Sequence, residues 1–229
     1  MSKRRRHVPF DPYYFEKQKE EGKRLSMQDT FSEIHHKNHW KGEESLSGGG
    51  SSRDQTDILI KRLPKILREF NIDSMLDLPC GDFSWMKHLD LPPETSYIGA
   101  DIVAELIADN KKKYAGGQRR FTTLDITSDP LPEVDLLFCR DCLVHLSFAD
   151  IRQALANIRS HEIPYLFTTT FPLCKTNEDI TTGDWRPLNL EAEPFDLPEP
   201  TLIISEECTE GEGRYRDKSM ALWETSSIF

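Results

Sequence analysis

Between residues 74 and 170 short apolar runs alternate with stretches of helical periodicity, and this alternation is what most limits how the chain can fold. The runs cover residues 74–78, 97–100, 120–126, 134–139 and 165–170; the candidate helices cover 83–89, 103–114 and 148–160. Strands separated by helices join through right-handed crossovers and lie parallel in one sheet. An α/β fold with a doubly wound, mainly parallel sheet is therefore expected.

The flanking segments break that rhythm. Residues 57–70 place Ile58, Leu59, Leu63, Ile66, Leu67 and Phe70 near 3.6-residue spacing, which predicts an amphipathic helix with Pro64 as a local irregularity. Residues 173–200 are rich in proline and acid; two strand-like runs follow, 201–206 and 219–224, with a turn at Gly211-Glu-Gly213. These predict an antiparallel C-terminal hairpin on the parallel sheet. Residues 1–55 read as an N-terminal appendage or lid, with a Gly/Ser-rich loop at 45–52, and residues 56–229 as the main domain.

Bulk properties narrow the partners. The chain of 229 residues carries a net charge of −10 from 29 basic and 39 acidic residues, a field that opposes a nucleic-acid backbone. The basic run Lys3–Arg6 reads as a solvated tail. No apolar run approaches the roughly 20 residues of a membrane span, and no apolar stretch follows the basic start, so a soluble cytoplasmic protein is expected. Five cysteines without an export signal favour reduced thiols. Cys139-x-x-Cys142 lacks a second pair and His35, His36 and His39 lack completing ligands, so no metal is expected.

In an open α/β sheet ligands bind beyond the carboxyl ends of the strands, and here those ends carry acids. The first run continues as Met75-Leu-Asp-Leu-Pro-Cys-Gly-Asp-Phe83. Gly81 allows close backbone approach, whereas a pyrophosphate would require more bare amides and would be repelled by Asp82. A ligand bearing ammonium or sulfonium and no phosphate suits this turn. The second run ends at Asp101, placed to bind two ribose hydroxyls. The third ends at Asp125, placed to accept from an adenine amino group, with Ile102 and Ile126 sandwiching the purine.

Residues 72–172 resemble the core of class I S-adenosylmethionine-dependent methyltransferases, a Rossmann-like fold. That family ends its first strand in Asp-x-Gly-x-Gly-x-Gly; Asp77 and Gly81 match, while Pro79 and Phe83 stand where glycines are usual, giving an Asp-x-Pro-Cys-Gly variant. The resemblance implies S-adenosyl-L-methionine as cofactor around Asp77, Pro79, Gly81, Asp82, Phe83, Asp101, Ile102, Asp125, Ile126 and Arg140. It also implies that Arg140, Asp141 and His145, after the fourth run, line the reacting centre. Asp141 and His145 are spaced to share a helical face, so the carboxylate is expected to orient the imidazole as a base.

The Asn/Asp-Pro-Pro-aromatic signature of related enzymes acting on planar amino groups is missing here, which disfavours nucleobases. After the fifth run, Trp185 is expected to stack on a sugar face while Asp184 and Arg186 bind its hydroxyls, with Trp40 contributed by the lid. The expected function is methyl transfer by direct displacement to a small polar or saccharide acceptor, at a hydroxyl oxygen. A non-catalytic cofactor-binding subunit and a nicotinamide-dependent oxidoreductase are the alternatives.

Overall fold

The computed structural model describes residues 7–229; the basic run Lys3–Arg6 lies outside them. The sheet contains β1 (Ser74–Asp77), β2 (Ser96–Asp101), β3 (Arg119–Thr123), β4 (Leu136–Cys139), β5 (Tyr165–Thr170), β6 (Leu202–Ser205) and β7 (Ser219–Glu224). Their order is β3-β2-β1-β4-β5-β7-β6. The first five strands are parallel; β7 runs antiparallel to both β5 and β6, with Phe167 opposite Leu222. The expected doubly wound sheet with an antiparallel C-terminal hairpin is present.

Helices α1 (Tyr14–Glu20), α2 (Met27–His36), α3 (Arg53–Glu69), α4 (Ala104–Tyr114), α5 (Phe148–Ser160) and α6 (Thr225–Ile228) complete the fold. Successive residues of each strand feed opposite faces, as the two-residue period requires. Leu76, Leu137 and Leu166 pack with Ile151, Ala154 and Ile158 of α5. Met75, Leu136 and Phe167 pack with Leu59, Leu63 and Leu67 of α3 and Ile107 of α4. Strands covered on both faces are continuously apolar for this reason. None of the helices in the described residues is long and apolar enough to cross a membrane.

Two local expectations change. The helix expected at 83–89 is only a 3₁₀ turn, Met86–His88. Phe83 sits at φ 59°, which a helix interior does not allow, and Leu89 is already extended before the Pro92-Pro93 pair. The Gly/Ser-rich loop is not a free linker: it contains a 3₁₀ turn, Gly49–Ser51, that leads straight into α3, so residues 55 and 56 lie within one helix.

α2 begins at Ser26 with a capping box to Asp29, and α5 begins at Ser147, which accepts from the Asp150 amide. In each case the side chain satisfies an amide that the first helical turn leaves bare.

Candidate functional site

The chain leaves β1 toward β2 on one side and returns through β3 to β4 on the other, which opens a crevice above the β1–β4 pair. A cavity fills it, lined by Asp77, Pro79, Gly81, Asp82, Asp101, Ile102, Asp125, Ile126, Arg140, Asp141 and His145. Phe31, Trp40, Leu46 and Ser47 of the N-terminal segment close it from above.

The turn after β1 is tightly built. Gly81 has φ 53°, and a Cβ there would lie 2.2 Å from Ser47 Oγ, so the residue serves both the backbone conformation and the close approach of Ser47. Its amide donates to Asp101 Oδ2 at 3.1 Å and its carbonyl accepts from Asn110 Nδ2 at 2.7 Å. The Asp82 amide donates to Ser47 Oγ at 3.3 Å, and Asp82 Oδ2 accepts from the Leu46 amide at 3.2 Å. The amides that a pyrophosphate would need are thus engaged, and no α-helix begins at this turn to add a dipole. This arrangement argues against a dinucleotide.

The carboxylates at the strand ends are short of charge partners. Asp77 is buried, receives the Tyr97 hydroxyl at 2.5 Å, and burial pushes its pKa up to about 8. Asp101 is also buried; its Oδ1 accepts from the Val103 amide at 2.9 Å, and desolvation still raises it to about 6. Asp125 turns Oδ1 onto the amide and hydroxyl of Thr127. An acidic, desolvated wall flanked by Ile102, Leu124 and Ile126 fits a ligand with hydroxyls, an adenine ring and positive charge.

Phe83 is not on this wall. Its ring packs against Tyr97, Tyr114 and Phe121, with centroids 5.0–5.3 Å away, in the core beneath the turn. At left-handed φ the backbone carries the ring down into the sheet, so Phe83 supports the turn from below.

After β4 the expected Asp141–His145 pair does not form. Asp141 donates its amide to Thr169 Oγ1 at 2.8 Å, and its carboxylate holds Lys218 Nζ at 2.6 Å and Arg140 Nη1 at 3.3 Å. Burial opposes its ionisation, yet Lys218 and Arg140 keep it at about 2. The helical face assumed for residues 141–145 is absent: Asp141 has φ 53° and a 3₁₀ turn, Leu143–His145, follows. His145 instead places Nδ1 3.0 Å from the Asp184 carbonyl oxygen. A carbonyl only accepts, so Nδ1 carries the proton and Nε2 presents a lone pair. Burial pushes this imidazole down to about 4, and the Trp40 ring lies 4.5 Å away at 31°.

Arg140 lines the first cavity with its guanidinium engaged by neighbouring groups. It makes a bidentate contact with Glu206, with Nη2 to Oε2 at 2.6 Å, stacks over Trp85 at 5.6 Å, and donates to the Gly50 carbonyl at 2.8 Å. It ties the hairpin and the Gly50 loop to the end of β4.

The sugar-binding reading of Asp184 and Arg186 is corrected. Asp184 is fully buried and accepts from the amides of Phe15 and Glu16, at 2.8 and 3.0 Å, so it caps the first turn of α1. Arg186 is 1% exposed and donates to the carbonyls of Leu143 and Leu146, at 2.8 and 2.9 Å. Both side chains hold loops. Trp185 packs edge-on against Phe171 and Tyr215, and together with them lines a second cavity. Trp40, Ser47, Asp141 and His145 line both cavities.

Sequence reading missed Tyr97, Glu206 and Lys218. A signal existed for the last two: charged residues at the ends of strongly apolar runs are costly to bury and imply partners. Among the described residues no cluster of His, Cys, Asp and Glu is arranged to hold a metal ion.

The sheet order, the antiparallel β7 and the acid-lined crevice define the class I methyltransferase fold. Residues 75–163 match a family described as a methyltransferase domain. Solved structures agree on the fold. The N-methyltransferase NodS from Bradyrhizobium japonicum WM9, in complex with S-adenosyl-L-homocysteine, is 14% identical over 86% of this chain and 97% of its own, with a TM-score of 0.56. A methyltransferase from Clostridium acetobutylicum ATCC 824 is 14% identical over 75% and 91%, with a TM-score of 0.51. Human N-acetylserotonin methyltransferase in complex with S-adenosylmethionine is 15% identical over 80% of this chain and 59% of its own, with a TM-score of 0.50. No curated protein matches the sequence significantly.

Proposed function

We propose that the protein transfers a methyl group to a hydroxyl oxygen of a small polar or saccharide acceptor, with the cofactor in the first cavity and the acceptor in the second. The observation that carries this reading is His145, whose neutral imidazole lines both cavities and whose Nε2 has no hydrogen-bond partner among the described residues. The bound cofactor supplies an electrophilic methyl on a sulfonium centre.

Asp101 would accept from the ribose hydroxyls, Asp125 from the adenine amino group, and Ile102 and Ile126 would cover the purine faces. Asp77, Pro79, Gly81 and Asp82 would surround the amino-acid end. His145 Nε2 would take the acceptor proton as the oxygen attacks in line, and the closed lid would keep water out. Residues 7–55 act as the lid in this reading: they roof the first cavity and are held at Asp82, Arg140 and Asp184.

The test is to incubate the protein with methyl-labelled S-adenosylmethionine and fractionated cell extract. Label in a polar small-molecule or glycan fraction, base-stable as an ether is, supports the reading. Label confined to protein or nucleic acid overturns it.

A further inference from the structure

The second cavity has an aromatic side and a charged side. Trp185, Tyr215 and Phe171 supply the first, with the Trp185 and Tyr215 centroids 4.8 Å apart at 74°. The second is a set of ionised groups whose charges do not cancel. Lys218 and Arg140 bind Asp141 and Glu206 at 2.6–3.5 Å, so two cations match two carboxylates. Glu210 is the carboxylate left over. It lines the second cavity and not the first, and among the described residues its only hydrogen-bonding contact is the Cys208 thiol, at 3.9 Å.

The lid completes this arrangement. A Cβ on Gly49 would lie 2.9 Å from Glu210 Oε1, and one on Gly50 would lie 3.4 Å from Oε2. The glycines therefore let bare backbone approach a half-buried carboxylate. A partly desolvated carboxylate without an N–H or O–H donor is costly, and burial accordingly pushes the Glu210 carboxyl up. A cation entering the cavity would relieve that cost, and an aromatic wall beside it suits a ring that carries the cation.

We propose that the second cavity selects acceptors bearing a protonated amine on a small ring, with Glu210 as the group that pairs with the ammonium and Trp185 and Tyr215 as the wall against which the ring lies. This rests on the reading that the first cavity holds the cofactor. It narrows the acceptor from polar small molecules in general to amines such as amino sugars and arylalkyl amines. Glu210 is a specificity residue in this account, and His145 keeps its separate place as a residue lining both cavities.

The test uses the full chain saturated with S-adenosylhomocysteine and calorimetric titration with two matched pairs: glucosamine against glucose, and tyramine against 4-(2-hydroxyethyl)phenol. Wild-type protein should bind at least one amine about tenfold more tightly than its alcohol partner. Glu210→Gln should abolish that preference and leave S-adenosylhomocysteine affinity unchanged. Equal affinity for amine and alcohol, no binding of either amine, or a preference that survives E210Q would each overturn the proposal. Failure of wild-type protein to take up S-adenosylhomocysteine at all would instead sink the cofactor reading, and this proposal with it.

Discussion

The Nδ1 of His145 lies 3.0 Å from the backbone carbonyl oxygen of Asp184, and not against the carboxylate of Asp141. A carbonyl fixes the tautomer without adding a full negative charge, so burial dominates and the imidazole stays neutral down to about pH 4. His145→Ala should therefore keep S-adenosylhomocysteine affinity and lower turnover by about 10²–10⁴. In the wild type the acid limb of kcat due to this group should fall near pH 4–5, with no inflection at the usual histidine value; a limb near 6.5 would show that Nε2 is protonated more easily than its burial implies.

Asp101→Ala removes the carboxylate proposed for the ribose and also the acceptor of the Gly81 amide. Cofactor binding should weaken by roughly 1–3 kcal/mol, or about 5- to 150-fold. An unchanged dissociation constant in a calorimetric titration would mean that the ribose lies elsewhere.

Asp77 gives a pH dependence with a definite sign. Its folded pKa of about 8 exceeds the unfolded 3.8, so the folded state holds an extra proton between those values and its stabilisation is lost as pH rises through 8. His145 acts oppositely, but only below 6.5. Between pH 6.5 and 8 the ligand-free protein should thus lose stability at up to about 1.4 kcal/mol per pH unit from this group. Denaturant titrations of wild type and Asp77→Asn should differ by that slope, and parallel curves would refute it.

Asp82→Ala deletes the acceptor of the Leu46 amide and leaves the Gly81 turn in place. Cofactor dissociation, followed by stopped-flow fluorescence of the tryptophans, should accelerate, and proteolysis of residues 42–52 should rise in parallel. If neither rate moves, the lid is held by its other contacts alone.

Arg186→Ala strips donors from the buried carbonyls of Leu143 and Leu146. Stability should drop by roughly 3 kcal/mol or more, and Arg186→Lys should not restore it, because a single ammonium cannot span two carbonyls as the guanidinium fork does. A well-folded R186A with only a raised acceptor KM would return this residue to the substrate site.

What could be read from the sequence divides by the range of the interactions involved. The strand-end acids Asp77, Asp101 and Asp125 were legible because a strand and the residue ending it are local patterns, and the parallel sheet places all such ends at one edge. Phe148–Ser160 was legible for the same reason, with period and cap written in adjacent residues. Asp184 and Arg186 were misread because their partners lie at Phe15 and Leu143, which no local window contains. The Asp141–His145 pairing failed on backbone grounds: spacing by four implies a shared face only if the chain is helical there, and Asp141 is left-handed. The Gly/Ser-rich loop at 45–52 was half legible, since glycine and serine signalled conformational freedom but not the hydrogen bonds that use it.

The Phe15–Asp184 hydrogen bond spans 169 residues, and it has a consequence for the order in which the molecule is made. Residues near Phe15 leave the ribosome well before the loop whose carboxylate caps α1. Because long-range contacts form slowly, the N-terminal segment must wait uncapped while the sheet assembles. Docking of α1 onto Asp184, the residue whose carbonyl also orients His145, would then follow assembly of the strands between them, and His145 would gain its setting only after residue 184 has emerged.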